Sequence, residues 1–534
     1  MWVLRERKAT TRPRQLPLGR CVSLLPSLSD LSFFIPILVL FWCTTGVAWL
    51  LTDSDTGWHI RTGEWILKNR RVPATDLFSF TKPGQPWFAW EWLSDVSMAA
   101  IHSHFGLSGI VLVSLLVLGT TSVCIYRSTV EESEHRPIAI LLTGLAMAAS
   151  TIHWLARPHL VTPLFAAVFC SVLNRVEKRA SANRLLLQLP ALMVVWVNLH
   201  GGFFVGIALL MTYALGTAVE ALVHGSLDGA WLRARKYLLS AIACFVSSLA
   251  NPYGYRLHIH VLQYLGASFY FERISEFQSV DFHSFTAAYF ETLLVLAIAA
   301  AAWHLGSGRL IHVVLLLGWA HLALFSVRNI PIFAVVCAPG IGLAMQDWLQ
   351  FASAHWPLDW RGKLASSLDE LETGLKIIAD HQDRRRWHMV PSLAVLALAF
   401  SFLCPGRVRA LQADFGRTRF PADATTFLSH DLESSIRVYA SWQWGGYLIY
   451  RLWPSVRVFD DGRTDFYGPR FVEEGLRVWE ASPDWAEIFA KYQVNAALVP
   501  ADSAVATALH ESSDWKLVYS DRVALMFVKI ENRK

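Results

Sequence analysis

Charge is the scarcest ingredient of this chain. Only 17% of its 534 residues are Asp, Glu, Lys or Arg, against about a quarter in soluble globular proteins. The net charge of +5 is small for the length and gives no footing for nucleic acid. The 7 cysteines, Cys21, Cys43, Cys124, Cys170, Cys244, Cys337 and Cys404, lie mostly inside or beside apolar runs. None is paired at metal-ligand spacing, which argues against a disulfide framework or a zinc site. They read as small core hydrophobes. There is no internal repeat and no low-complexity segment. The basic start "MWVLRERKATTRPRQLPLGR" is followed by an apolar run over 31–51. That run is longer than a signal-peptide core, and no A-x-A-like cleavage site follows it. It reads as a retained membrane helix with its basic end in the cytoplasm.

What the chain has instead is apolar residues (54%) and 23 tryptophans. Apolar runs near twenty residues recur along it. Membrane helices are expected at 31–51, 107–126, 137–155, 160–174, 186–199, 202–222, 237–250, 290–305, 311–327, 330–346 and 389–404, about eleven in all. The fold class expected is therefore mainly α: a polytopic membrane helical bundle with a C-terminal α/β periplasmic domain. With the N-terminus inside, the inner loops hold Arg127, Arg136, Arg175, Lys178, Arg179, Arg184, Arg233, Arg235, Lys236 and Arg309, as the positive-inside rule requires. The boundaries are a cytoplasmic start over 1–30, a transmembrane domain over 31–404 and a periplasmic domain over 405–534. Large outer loops fall at 52–105 and 251–289. In the tail, "IRVYAS", "VRVFDD", "NAALVP", "WKLVYS" and "VALMFVKI" read as strands. "PADATTFLSHD", "GPRFVEEGLRVWEA" and "DWAEIFAKY" read as helices.

This topology collects polar residues on the outer side, near membrane level. Asp53, Asp55 and His59 follow the first helix; Arg157 and His159 lie in "WLARPHLV"; Asn198 and His200 lie in "WVNLHGGF". Asn251 and the pair Arg328 and Asn329 come from two further turns. Ionisable groups at membrane level are expensive and are functional candidates by default, although polar turns and snorkelling arginines are ordinary at a membrane face. Their coincidence on one side points to a single cavity. In the first outer loop Trp58 and Trp65 would share a helix face, and Trp87, Trp90 and Trp92 surround Glu91. The pattern fits an amphipathic segment on the outer leaflet, as an aromatic belt or as a stacking surface for a lipid-linked sugar.

The pair Asp53 and Asp55 admits three readings. One carboxylate caps a helix; two carboxylates hold a divalent cation (Mg²⁺ or Mn²⁺) together with a substrate phosphate; or one of them is the base that takes a proton from an acceptor hydroxyl. Arg157 and Arg328 suit a donor phosphate, since guanidinium binds phosphate bidentately. Glu272, Glu276 and Asp281 read as a solvated acidic face, or one of them as an acceptor contact. "VRVFDDGRTDFYGPRF" reads as a salt-bridged turn or as an acceptor contact.

An acidic site directly after the first helix, many membrane helices and an outer α/β tail together resemble the GT-C superfamily of membrane glycosyltransferases. That group includes oligosaccharyltransferase catalytic subunits, protein O-mannosyltransferases and aminoarabinose transferases. The resemblance implies that Asp53 or Asp55 is catalytic and that the donor is a polyprenyl-phosphate-linked sugar. Trp58, His59, Glu91, Arg157, His159, Asn198, His200 and Arg328 would then contact substrate. It also implies a bacterial inner (plasma) membrane protein with a lipid, glycan or cell-envelope acceptor. The sequence departs from the group in two places. "ARPHLV" contains no acid, and "SWQWGGYLIY" only echoes the "WWDYG" signature of oligosaccharyltransferases. The alternatives are a transporter or flippase for a polar or lipid-linked substrate, and a non-catalytic envelope-assembly scaffold.

Overall fold

The structure, a computed structural model, describes residues 26–223, 225, 227–385, 413–431 and 436–530. Before the tail come α1 (Leu28–Cys43), α2 (Asp55–Asn69), α3 (Trp92–Ser133), α4 (Arg136–Ser150), α5 (Val161–Lys178), α6 (Leu189–Leu199) and α7 (Phe204–Val223). They are followed by α8 (Leu227–Ser248), α9 (Tyr255–Gly266), α10 (Ser268–Arg273), α11 (Ala287–Gly306), α12 (Leu310–Phe325), α13 (Ile330–His355) and α14 (Trp360–Arg385). A membrane offers backbone groups no partners but each other, so apolar runs become helices. Among the described residues, seven segments are long and apolar enough to cross one: Trp92–Ser133, Arg136–His153, Pro158–Lys178, Ala180–Leu199, Gly201–Val223, Ala287–Gly306 and Val327–His355. The apolar helices α1 and α12 are shorter.

The expected count of eleven differs from this in identifiable places. The expected span 389–404 lies outside the described residues. The expected span 237–250 is the second half of α8, whose first half carries Arg233, Arg235 and Lys236; α8 is not among the seven. The apolar run 31–51 is broken. Thr44 donates its hydroxyl to Leu40 O (2.6 Å) and accepts from Gly46 N–H (3.2 Å), and Gly46 takes φ +76°. A hydroxyl competing for backbone groups next to a glycine ends a helix, and Gly46–Leu51 continues as 3₁₀ turns. The helix expected from 107 begins earlier, at Trp92, and is interrupted at Gly106 (φ 59°).

The first outer loop does not lie free on a leaflet. Its helix α2 is held between α3 and a tail helix, Trp442–Leu452. The approach to the tail is glycine on glycine. A Cβ added at Gly57 would fall 2.3 Å from Gly446 O and 2.7 Å from Tyr450 Cβ, and one added at Gly446 would fall 2.3 Å from Ser54 O. Such backbone contact leaves no room for a methyl group. Gly57→Ala is therefore expected to cost about 1–3 kcal/mol by overpacking. Thermal unfolding in detergent would show this, and an unchanged midpoint would refute the tight approach.

Each strand-like run of the tail carries a strand. The five strands, β1 (Arg437–Ala440), β2 (Arg457–Val458), β3 (Ala496–Pro500), β4 (Trp515–Ser520) and β5 (Ala524–Lys529), form one sheet in the order β2-β1-β3-β5-β4. β1 is parallel to β2 and β3, while β5 is antiparallel to β3 and β4. The edge strand β2 is covered by the first outer loop. Val458 N–H donates to Phe78 O and Phe80 N–H donates to Val458 O, both at 3.1 Å. Thr81 adds its hydroxyl to Phe459 O at 2.7 Å. Covering an edge in this way removes unpaired backbone groups and sets the tail directly over α2.

Candidate active site

A cavity of about 860 Å³ runs from the helix bundle to the tail. Among its lining are Leu118 of α3, Met147 of α4 and Val335 of α13, with the hydroxyl-bearing Thr121 and Ser150 of α3 and α4. The start of the first outer loop, the second outer loop and the tail also line it. Asp53, Asp55, Trp58, Glu91, Arg157, His159, His200 and Arg328 all line it. Five separate turns at helix ends therefore bring these candidates together. His59 and Asn198 are not among the lining residues.

Arg157 is the hub of these polar residues. It stands just before the short 3₁₀ turn Pro158–Leu160, and its guanidinium faces three carboxylates. Nη1 is 3.0 Å from Asp53 Oδ2 and 3.3 Å from Glu276 Oε1, and Nη2 is 2.9 Å from Asp55 Oδ2. Glu276 passes the network on, since Arg328 Nε donates to its Oε2 at 3.0 Å. The Arg328 guanidinium also lies 4.0 Å from the centre of the Phe277 ring. Three acids against two guanidiniums leave one negative charge unmatched when all are ionised. That imbalance falls on Asp55. Burial pushes its carboxyl up, Asp53 adds to this and Arg157 opposes it, so that it titrates at about 7. Burial also acts upward on Glu276, but Arg328 and Arg157 outweigh it and hold that carboxyl well below its usual range. For Arg157, desolvation is outweighed by Asp55, Asp53 and Glu276, so it stays charged. Asp55 is thus a carboxylate poised near neutral pH, while Glu276 is a fixed anion.

Asp55 is the first residue of α2, and Asp53 Oδ1 accepts its backbone N–H at 2.7 Å. The capping reading thus applies to Asp53, whose other oxygen holds Arg157.

A second buried group lies at the cavity wall. Burial pushes Glu91 up to about 8. It faces His200 Nε2 at 3.4 Å and His59 Nε2 at 3.6 Å. His59 Nδ1 is bonded to Asp95 Oδ1 at 2.6 Å, so this histidine supports Glu91 from behind. His200 Nδ1 accepts from Gly202 N–H at 3.0 Å and meets Thr162 Oγ1 at 2.8 Å, which fixes the ring at the wall. His159 Nε2 is tied to His153 O at 2.8 Å. Asn198 accepts from Trp92 Nε1 (2.7 Å) and donates to Val194 O and Ala250 O (both 2.8 Å); it joins three segments of the bundle. Trp58 is buried, stacked on His59 and edge-on to Trp87.

The two aspartates do not fit a divalent ion as they stand. Both are committed to Arg157, whose guanidinium fills the space a cation would take. Among the described residues no three His, Cys, Asp or Glu side chains group closely enough to hold a metal ion.

Two site elements were not legible in the sequence. Glu276 reads there as part of a solvated acidic face, yet it is the carboxylate shared by both arginines. The tail turn Asp461–Gly462 reads as a salt-bridged turn; it is salt-bridged, and it also packs against Asp55. Their partners lie hundreds of residues away or on other loops, and local pattern carries no signal for that.

No protein-family model matches the chain, and no curated protein matches it in sequence. Solved structures do match. The Archaeoglobus fulgidus oligosaccharyltransferase in its apo form is 12% identical with a TM-score of 0.52, over 89% of this chain and 69% of that one. The archaeal oligosaccharyltransferase AglB from the same organism, in complex with an inhibitory peptide and a dolichol-phosphate, is 12% identical with a TM-score of 0.51, over 95% of this chain and 74% of that one. ArnT from Cupriavidus metallidurans bound to undecaprenyl phosphate is 15% identical over 95% of this chain and 98% of that one, with a TM-score of 0.44. The two archaeal matches show a shared fold: a bundle of membrane-length helices carrying an outer domain with a small sheet.

Proposed function

We propose that this chain is a bacterial inner-membrane glycosyltransferase that moves a sugar from a polyprenyl-phosphate donor to a lipid, glycan or cell-envelope acceptor. The reaction takes place at the periplasmic face, with the basic N-terminal segment in the cytoplasm and the tail outside. The observation that carries this reading is the joining of Asp55, Arg157, Glu276 and Arg328 in one cavity that apolar side chains of the helix bundle, Leu118, Met147 and Val335, also line. That combination suits a ligand with an apolar chain, a phosphate and a sugar in line. Asp55 takes the proton of the acceptor hydroxyl as its oxygen bonds to the anomeric carbon. The bond from that carbon to the phosphate oxygen breaks, and the polyprenyl phosphate leaves with the electron pair. Arg328 and Arg157 stabilise the charge that develops on the phosphate. His200 and Glu91 lie at the same wall and suit hydrogen bonds to sugar or phosphate.

The direct test is turnover by the purified full-length chain, supplied with a panel of polyprenyl-phosphate sugars and envelope lipids or glycans. Sugar on an acceptor with release of polyprenyl phosphate supports the reading. Movement of an intact substrate across vesicles, with no transfer, would replace it with transport. The guanidinium between the two aspartates leads to a further expectation: transfer persists in EDTA. Loss of activity in EDTA, restored by Mg²⁺ or Mn²⁺, would reinstate the ion between Asp53 and Asp55.

A further inference from the structure

The two oxygens of Asp55 meet different neighbours. Oδ2 pairs with Arg157 at 2.9 Å. The other face of the carboxylate meets the backbone of Gly462. A Cβ placed on that glycine would fall 2.0 Å from Oδ1 and 2.6 Å from Oδ2. Gly462 belongs to the tail, and its turn is pinned in place. Arg463 donates its backbone N–H (3.1 Å) and Nε (2.7 Å) to Asp461 Oδ1, and Nη2 to Asp461 Oδ2 (2.7 Å). The same Nη2 reaches Asp76 Oδ1 of the first outer loop at 2.8 Å. Tyr467 OH donates to Asp461 Oδ2 at 2.9 Å. The guanidinium is 4.5 Å from the Trp87 ring centre and 5.1 Å from that of Phe78. Asp76, Asp461 and Arg463 are all buried. Behind the turn, Gly445 leaves no retreat, since a Cβ there would fall 2.2 Å from Asp460 O. A buried arginine held by two carboxylates through Nε and Nη2, under aromatic rings, is a rigid anchor.

We propose that the tail turn Asp461–Gly462 is the positioning element of Asp55: it closes one face of the carboxylate from water and holds it against Arg157. The proposal rests on Asp55 being the base. It makes the tail a wall of the active centre rather than a separate binding module. Any side chain at 462 strikes the free end of Asp55, not backbone, so the relief available is rotation of the carboxylate away from its place. Gly462 is not at positive φ among the described glycines, so alanine brings no backbone strain there.

The experiment uses the full chain in detergent. Gly462→Ala is expected to unfold at the wild-type temperature, to lose kcat on the order of 10²-fold and to shift the pH midpoint of kcat towards acid as water reaches Asp55. Gly374→Ala, whose added Cβ meets no atom within 4 Å, serves as the unchanged control. A double-mutant cycle with Asp55→Asn separates the causes. If Gly462 acts through Asp55, Gly462→Ala adds no further loss in the Asp55→Asn background. Additive losses, or a wild-type pH midpoint in Gly462→Ala, would overturn the positioning role. Full activity of Asp55→Asn alone would overturn the assignment of the base instead. Should Gly462→Ala fail to accumulate, Tyr467→Phe loosens the pin without changing its charge, since it removes only the hydroxyl bonded to Asp461 Oδ2. A loss of kcat in that variant that vanishes in the Asp55→Asn background supports the proposal, and wild-type kcat or additive losses overturn it.

Discussion

Asp55→Asn is expected to reduce transfer by about 10²–10⁴-fold, the usual range for removing a general base, with KM for the donor little changed. Asparagine keeps the shape of the side chain, so the packing against Gly462 survives while proton acceptance is lost. Asp53→Asn is expected to lose less, because Asp53 caps α2 and orients Arg157 and does not need to take a proton. Equal losses in both variants would move the base assignment to the pair as a unit. The wild-type pH profile carries the same information. Burial raises the Asp55 carboxyl to about 7, and only its ionised form accepts a proton. Activity therefore rises with pH through that value and levels off above it; a profile that falls across the same range would contradict a carboxylate base.

The second large effect is expected at Arg157. Arg157→Ala leaves Asp53, Asp55 and Glu276 facing one another without their shared cation, and breaking a buried ionic cluster in this way costs about 3–5 kcal/mol. Such a variant will lose structure and function together. Arg157→Lys separates the two. An ammonium is a point charge and cannot span three carboxylates with a planar fork. The fold is expected to persist, while kcat/KM falls by roughly 10²-fold through the donor's KM, about 2.8 kcal/mol at 1.4 kcal/mol per decade. The midpoint of the pH profile should move to higher pH, because Arg157 is the group that opposes protonation of Asp55. Wild-type donor KM in Arg157→Lys would remove this arginine from phosphate binding.

How much of this was legible beforehand follows from the range of the interactions. Asp53, Asp55, Arg157, His159, His200 and Arg328 stand at the ends of apolar runs. The length of a run fixes on which side its end emerges, so their gathering in one layer follows from the hydropathy pattern alone. The strands of the tail were legible for a similar reason: short β-branched and aromatic runs between turns have few other uses. What pattern does not carry is pairing. Glu276 lies 119 residues from Arg157 and 52 from Arg328, and an acid in a polar loop looks solvated until its partners are known. The tail helix Trp442–Leu452 was missed because its glycines and aromatics resemble a loop or a stacking surface, and its docking on Gly57 is purely a matter of shape. The break after Cys43 was missed because Thr44, Thr45 and Gly46 barely lower the hydropathy of the run they interrupt.

The bonding of the first outer loop to β2 also sets an order of events during synthesis. Thr81 and the carbonyl of Phe459 that it bonds are 378 residues apart. At about 5–20 residues per second, the ribosome needs on the order of 20–80 s between the two. Through that interval the helices from α3 to α14 are still being made, while Asp55 lacks the wall that Gly462 supplies. The proposed reaction centre is therefore completed only once the tail has been made. A nascent protein can occupy the membrane for much of a minute before Asp55 has its wall.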